Sequence, residues 1–146
     1  LPDEDRVMTR SRLNAMLSWM LGGRAAEELA FGDVSTGAQD DIKRATQLAR
    51  AMVCDYGMSN LGLIALGHDP GDGLGVMDYS PATAERVDAE VQRLLAEAYT
   101  FAKLTLSQNR HILDHVSAVL LDQETLDGPE FERIVASLNP VVPNAA

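Results

Sequence analysis

The feature that most constrains this chain is a helical period of apolar residues, which recurs in five segments. Apolar side chains three and four positions apart share one face of an α-helix, so each segment predicts an amphipathic helix. The predicted helices cover residues 9–31, 38–56, 81–107, 110–121 and 128–138. We therefore expect a mainly α fold, a compact domain of about five helices over residues 1–138, followed by a flexible tail at 139–146.

Glycines mark two departures from this pattern. Residues 57–78 contain six glycines and a short apolar run at 61–66, which predict one short strand-like segment and a mobile Gly-rich loop. Gly22 and Gly23 lie inside the first predicted helix, where each costs about 1 kcal/mol relative to alanine. Small residues at that position predict the close approach of another helix.

Composition and charge exclude several classes of function. A net charge of −10 argues against binding to nucleic acid and against docking of this segment on an anionic membrane. No run of about 18 apolar residues is present, so we expect no membrane span here. The single cysteine, Cys54, lies in an apolar helical stretch and has no internal disulfide partner, which predicts a core residue and an intracellular protein.

The first candidate metal ligands are Asp40 and Asp41, which follow the VSTG turn and occupy the first turn of the second predicted helix. Free N–H groups and the partial positive charge of a helix N-terminus hold carboxylates ionised and in place. Ionised, fixed carboxylates suit a metal ion. They equally suit the helix dipole alone, and spacing does not decide between these two interpretations.

Two further groups carry residue types that bind metals. His111 and His115 have the i, i+4 spacing of a helical metal site, but two exposed histidines beside a core stripe explain that spacing as well. Glu27 and Glu28 lie close in sequence to the VSTG turn, and an ion pair between Glu28 and Arg24 on a solvated face is the simpler interpretation. A role for the two glutamates near the metal, or in contacts of a ring, stays open.

Several motifs in one order give a more specific indication. They are LPDEDR at 1–6, LGGRAAEELAFG at 21–32, VSTGAQDDIKRATQLARAMV at 34–53, YGMSNLG at 56–62, DYSPATAERVDAEV at 78–91 and ETLDGPEFERI at 124–134. Together they resemble the peptidase domain of FtsH-type ATP-dependent zinc metalloproteases, which are membrane-anchored AAA+ proteases. The resemblance covers nearly the whole chain, up to about residue 136.

This resemblance implies a function and a metal ligand. Members of the family hydrolyse membrane and soluble polypeptides with zinc bound by two histidines and one aspartate, and they assemble as homo-hexamers. The aspartate of the family's TGA-x-x-D-I stretch falls on Asp41. Family members usually have Asn immediately before it, whereas this chain has Asp40. ATP would bind a separate ATPase module, and this segment would lie on the intracellular side of a membrane-anchored protein.

The His-Glu-x-x-His motif that supplies the two histidines and a general-base glutamate is absent from this chain. Two explanations are open: the motif precedes Leu1 in a longer protein, or the chain is an inactive helical assembly or adaptor domain derived from the same family. In either case we expect no catalytic residue in this chain, no peptide hydrolysis by the chain alone, and an incomplete zinc site with Asp41 as its only ligand.

Overall fold

A computed structural model describes residues 7–66 and 79–144. Within these ranges the chain forms five α-helices and no strand, so the mainly α prediction is confirmed. The helices are α1 (Arg10–Phe31), α2 (Gln39–Cys54), α3 (Pro81–Gln108), α4 (Arg110–Gln123) and α5 (Gly128–Ser137). A 3₁₀ turn, Thr36–Ala38, leads directly into α2.

Side-chain caps define where three of these helices begin. The Thr9 hydroxyl accepts a hydrogen bond from the Arg12 amide at 3.2 Å and caps α1. The helix therefore begins at Arg10, one residue after the predicted start at Thr9. Ser80 caps α3 in the same way, and Pro81 occupies its first position. The Asp127 carboxylate accepts from the Glu130 amide at 2.9 Å and fixes the start of α5.

The core lies between α1, α2 and α3. Leu17, Met52 and Val53 have no exposed surface, and the alanines of α2 at positions 45 and 49 are equally buried. Small residues at these two positions let the neighbouring helices approach closely. Cys54 is a fully buried member of this core, as predicted, and burial raises the pKa of its thiol.

Of the last two helices, α4 packs on α3 of this core, and α5 packs on α4. Ile112 is the one buried residue of α4, and α5 has none. After α5 the chain continues in an irregular conformation to residue 144. Within this segment, the backbone of Val141 forms two hydrogen bonds with the side chain of Asn109. Two hydrogen bonds therefore attach this part of the chain to the end of α3.

The strand-like segment predicted at residues 61–66 is wrong. These residues form a turn and irregular structure, and the Leu63 side chain is 97% exposed. A strand needs a neighbouring strand for its backbone hydrogen bonds, and none occurs among the described residues. The Leu66 amide instead donates to the Cys54 carbonyl at 2.7 Å. The rest of the predicted Gly-rich loop, residues 67–78, lies outside the described residues.

The glycine pair of α1 is also not used as predicted. A Cβ added to Gly22 or Gly23 would meet no atom of the described residues within 4 Å, so no helix of this part of the chain approaches closely there. Both glycines instead line an open groove of about 420 Å³ between α1 and α3, beside Trp19 and Phe101.

Candidate metal centre

The candidate ligand Asp41 follows a short irregular connection between α1 and α2. Gly32 ends α1 in the left-handed conformation, with φ of 68°, which glycine adopts without strain. The Asp33 carboxylate then accepts a hydrogen bond from the Val34 amide at 2.8 Å. The Ser35 hydroxyl accepts from the Gly37 amide at 3.2 Å and starts the 3₁₀ turn that precedes α2. These local bonds define the path of the chain into α2.

Asp41 occupies the first turn of α2, as predicted, together with Asp40. Its side chain is 39% exposed, and its Oδ1 accepts from Arg44 Nη2 at 2.6 Å. Its Oδ2 receives no hydrogen bond from the described residues. Since the Arg44 side chain is 59% exposed, this ion pair contributes little stability and mainly orients the carboxylate. Within the described part of the chain, one carboxylate oxygen of Asp41 is therefore left without a hydrogen-bond partner.

Glu27 lies at this connection, across from the start of α2. Its carboxylate accepts two hydrogen bonds from Ser35, one from the amide and one from the hydroxyl, the second at 3.0 Å. Arg24 Nη2 donates to the Ser35 carbonyl at 3.3 Å. The glutamate therefore binds the turn before Asp41.

Glu28 has a different partner from the predicted one. The described residues form no ion pair between Glu28 and Arg24, so that prediction is wrong. Glu28 Oε2 accepts a hydrogen bond from the hydroxyl of Tyr99, which lies on α3. Burial of the Tyr99 hydroxyl is the largest cause, and this hydrogen bond the next, of a rise in the pKa of Tyr99 to about 12. No local pattern indicates this contact, because the two residues are 71 positions apart.

The histidine pair on α4 does not form a metal site within the described residues. Both side chains are exposed, and His111 Nε2 lies 2.9 Å from the Leu138 carbonyl oxygen. His115 lies beyond the buried Ile112 on the same helix. The pair therefore matches the interpretation as exposed histidines beside a core position.

The donors of the described residues fit only one part of a zinc site. No group of three or more His, Cys, Asp or Glu side chains close enough to share a metal occurs among them. Zinc sites in proteins use three or four protein ligands, commonly His, Cys and Asp or Glu. Asp41, partly exposed and fixed at the positive end of a helix, fits the role of one carboxylate ligand. The described residues therefore do not supply a complete set of zinc ligands.

None of the helices in residues 7–66 and 79–144 combines the length and the apolar character that crossing a membrane requires.

Comparisons with known proteins agree on one family. The family model for Peptidase family M41 matches residues 1–134.

Three relatives are each named ATP-dependent zinc metalloprotease FtsH. The protein from Rubrobacter xylanophilus is 47% identical over an alignment of 143 positions, and the alignment covers 92% of this chain and 22% of that protein. The one from Thermotoga maritima is 42% identical over 144 aligned positions, with coverage of 93% of this chain and 24% of that protein. The one from Mycobacterium leprae is 43% identical over 146 aligned positions, with coverage of 94% of this chain and 19% of that protein. The chain thus spans about a fifth of the length of these curated relatives, and it belongs to Peptidase family M41.

Proposed function

We propose that this chain is part of a zinc metalloendopeptidase, in which Asp41 supplies one carboxylate ligand to the metal and the helices provide its scaffold. The observation that carries this proposal is the position of Asp41. It lies in the first turn of α2, is partly exposed, and has only one oxygen engaged by the described residues. The family match over residues 1–134 and the names of the relatives support a zinc protease as the setting for this carboxylate.

In the proposed site this chain would bind the metal through Asp41 and orient that carboxylate. It would contribute no general base and no other group that takes part in the reaction. Arg44 donates to Oδ1 of Asp41 at 2.6 Å, and Oδ2 receives no hydrogen bond from the described residues. The other ligands and the general base would come from a His-Glu-x-x-His segment. Bound zinc would polarise a peptide carbonyl and lower the pKa of its water. The name of the relatives supports polypeptide substrates and a use of ATP elsewhere in the protein. The family resemblance further implies assembly with identical copies in a membrane-anchored hexamer.

The test compares neighbouring carboxylates in a protease that joins this chain to a His-Glu-x-x-His helix. We expect Asp41→Asn to reduce both zinc retention and peptide hydrolysis by more than about 100-fold, the upper range for residues that only support a ligand. Asn keeps the shape of the side chain but removes the negative charge that balances the metal. Asp40→Asn is the matched control and should have a small effect, because Asp40 points about 100° around the helix.

A second control tests whether the exposed histidines of α4 contribute to zinc binding. Replacing His111 and His115 together with Gln should leave zinc content and hydrolysis unchanged, since neither is near a group of metal-binding side chains. The chain alone should bind zinc weakly and hydrolyse no peptide. If Asp40→Asn loses zinc and Asp41→Asn retains it, the ligand is Asp40 and not Asp41. If both variants retain zinc, the inactive assembly domain is favoured as the function of this chain.

A further inference from the structure

Two side chains of α1 bind every polar group of a single residue in the turn before Asp41. Arg24 and Glu27 are three positions apart and therefore share a face of the helix. Glu27 accepts from the amide and the hydroxyl of Ser35, and Arg24 donates to the Ser35 carbonyl at 3.3 Å. We call this set of contacts the Ser35 clasp. Its charged partners make these hydrogen bonds stronger than neutral ones.

The clasp lies on a short and stiff path to Asp41. The Ser35 hydroxyl also accepts from the Gly37 amide, and a Cβ at Gly37 would lie 3.3 Å from that oxygen, so the turn is tight. The 3₁₀ turn Thr36–Ala38 continues into α2 without a break. Ala38 is buried at this junction. A shift of Ser35 would therefore be passed on to the first turn of α2.

We infer that Glu27, assisted by Arg24, is a positioning residue that fixes the first turn of α2 and thereby the direction of the Asp41 carboxylate. This inference rests on the proposed function of Asp41. A metal ligand has to be held within about 0.5 Å of its working position. The bond from Arg44 comes from the same helix as Asp41, so it does not fix α2 relative to α1, whereas the Ser35 clasp does.

The first experiment measures the clasp in this chain without metal. In Glu27→Ala, amide hydrogen exchange followed by NMR should become about tenfold faster at Ser35 and through residue 41, as expected for loss of a charged hydrogen bond. Glu27→Gln keeps one oxygen that accepts from the Ser35 amide, so it should restore part of the protection. Glu28→Ala is the matched control, because its carboxylate binds Tyr99 instead. Unchanged exchange in Glu27→Ala would overturn the clasp.

The second experiment measures metal release from the protease that carries this chain with a His-Glu-x-x-His helix. Zinc transfer to a chelator should be about 10- to 100-fold faster in Glu27→Ala, with partial rescue by Glu27→Gln. Faster amide exchange with unchanged zinc release, while Asp41→Asn loses zinc, would overturn the positioning role. Zinc retention in Asp41→Asn would instead overturn the ligand assignment, and the positioning role with it. The exchange result would then still report on the clasp itself.

Discussion

The three-helix core and the C-terminal pair α4–α5 carry the same kind of sequence pattern but reach different degrees of burial. In the core, α1, α2 and α3 contribute residues with no exposed surface, such as Leu17 and Met52. In the pair, only Ile112 is buried, while Leu121 of α4 is 87% exposed and Phe131 of α5 is 45% exposed. The comparison teaches that a helical period predicts a helix and its apolar face, but not what covers that face.

Polar contacts compensate in part for the missing burial. Asn109 bonds the Val141 backbone in both directions, each at 2.6 Å, and His111 contacts the Leu138 carbonyl. Arg110 Nη1 donates to the Leu29 carbonyl of α1 at 2.9 Å and links the pair to the core. Exposed hydrogen bonds contribute only about 1 kcal/mol each. We therefore expect α4–α5 to open locally at a lower free energy than the core unfolds.

The largest expected effect tests the core half of this comparison. Leu17→Ala leaves a cavity beside residues that cannot fill it, and should lower the free energy of unfolding by about 2–5 kcal/mol. Urea denaturation followed by circular dichroism measures this loss. Leu121→Ala is the matched control in α4 and should change the free energy of unfolding by less than about 0.5 kcal/mol. Similar losses in the two variants would show that α4 is covered as well as α1, contrary to the comparison.

The second prediction concerns Glu90, a charged residue buried at the edge of the core. Its Oε1 accepts from the Asn60 amide and its Oε2 from Arg93 Nε, both at 2.5 Å. The Arg93 hydrogen bond, more than the opposing desolvation, lowers the pKa of Glu90 below 4.5. Its contribution to stability is therefore fully present above pH 4.5 and is lost as the pH falls through the lower folded-state pKa.

Glu90→Gln removes this charge and keeps the shape. The variant should be about 1–3 kcal/mol less stable than the parent at pH 7, and the difference should shrink as the pH is lowered below 4.5. Urea unfolding at a series of pH values gives both results. A difference that is the same at pH 7 and at strongly acidic pH would mean that the pKa of Glu90 is the same in the folded and unfolded chain, contrary to this prediction. Glu85→Gln, an exposed position on α3, is the control.

The sequence predicted what depends on neighbours in the chain. The caps at Thr9, Ser80 and Asp127 each act within three residues, and the predicted helix starts at residues 9, 81 and 128 lie within one residue of the observed ones. Asp41 was located in the first turn of α2 in the same way. Contacts between elements were not predictable, because they depend on how helices pack. The bond between Tyr99 and Glu28 joins two helices, and the period of α3 gives no sign of it.

Two errors have the same physical origin. Apolar residues 61–66 indicate a strand only if a second strand is present to pair with them, and a sequence segment does not show its partner. Gly22 and Gly23 indicate a close approach only if another helix lies opposite, and the described residues place an open groove there. In both cases the local sequence is compatible with the predicted feature, a strand or a close helix contact. The described residues do not supply the neighbouring element that either feature requires.

The smallest expected effect tests the C-terminal half of the comparison. Asn109→Ala removes both hydrogen bonds to Val141 and the bond from Nδ2 to the Thr105 carbonyl, and should reduce local stability by about 1–2 kcal/mol. Amide exchange should become faster across residues 110–144, while exchange in α2 and the urea midpoint of the core change little. Asn14→Ala on α1, an exposed asparagine, is the matched control. If Asn109→Ala instead accelerates exchange equally in α2 and α4, the two regions unfold as one cooperative unit, and the difference in burial does not translate into a difference in stability.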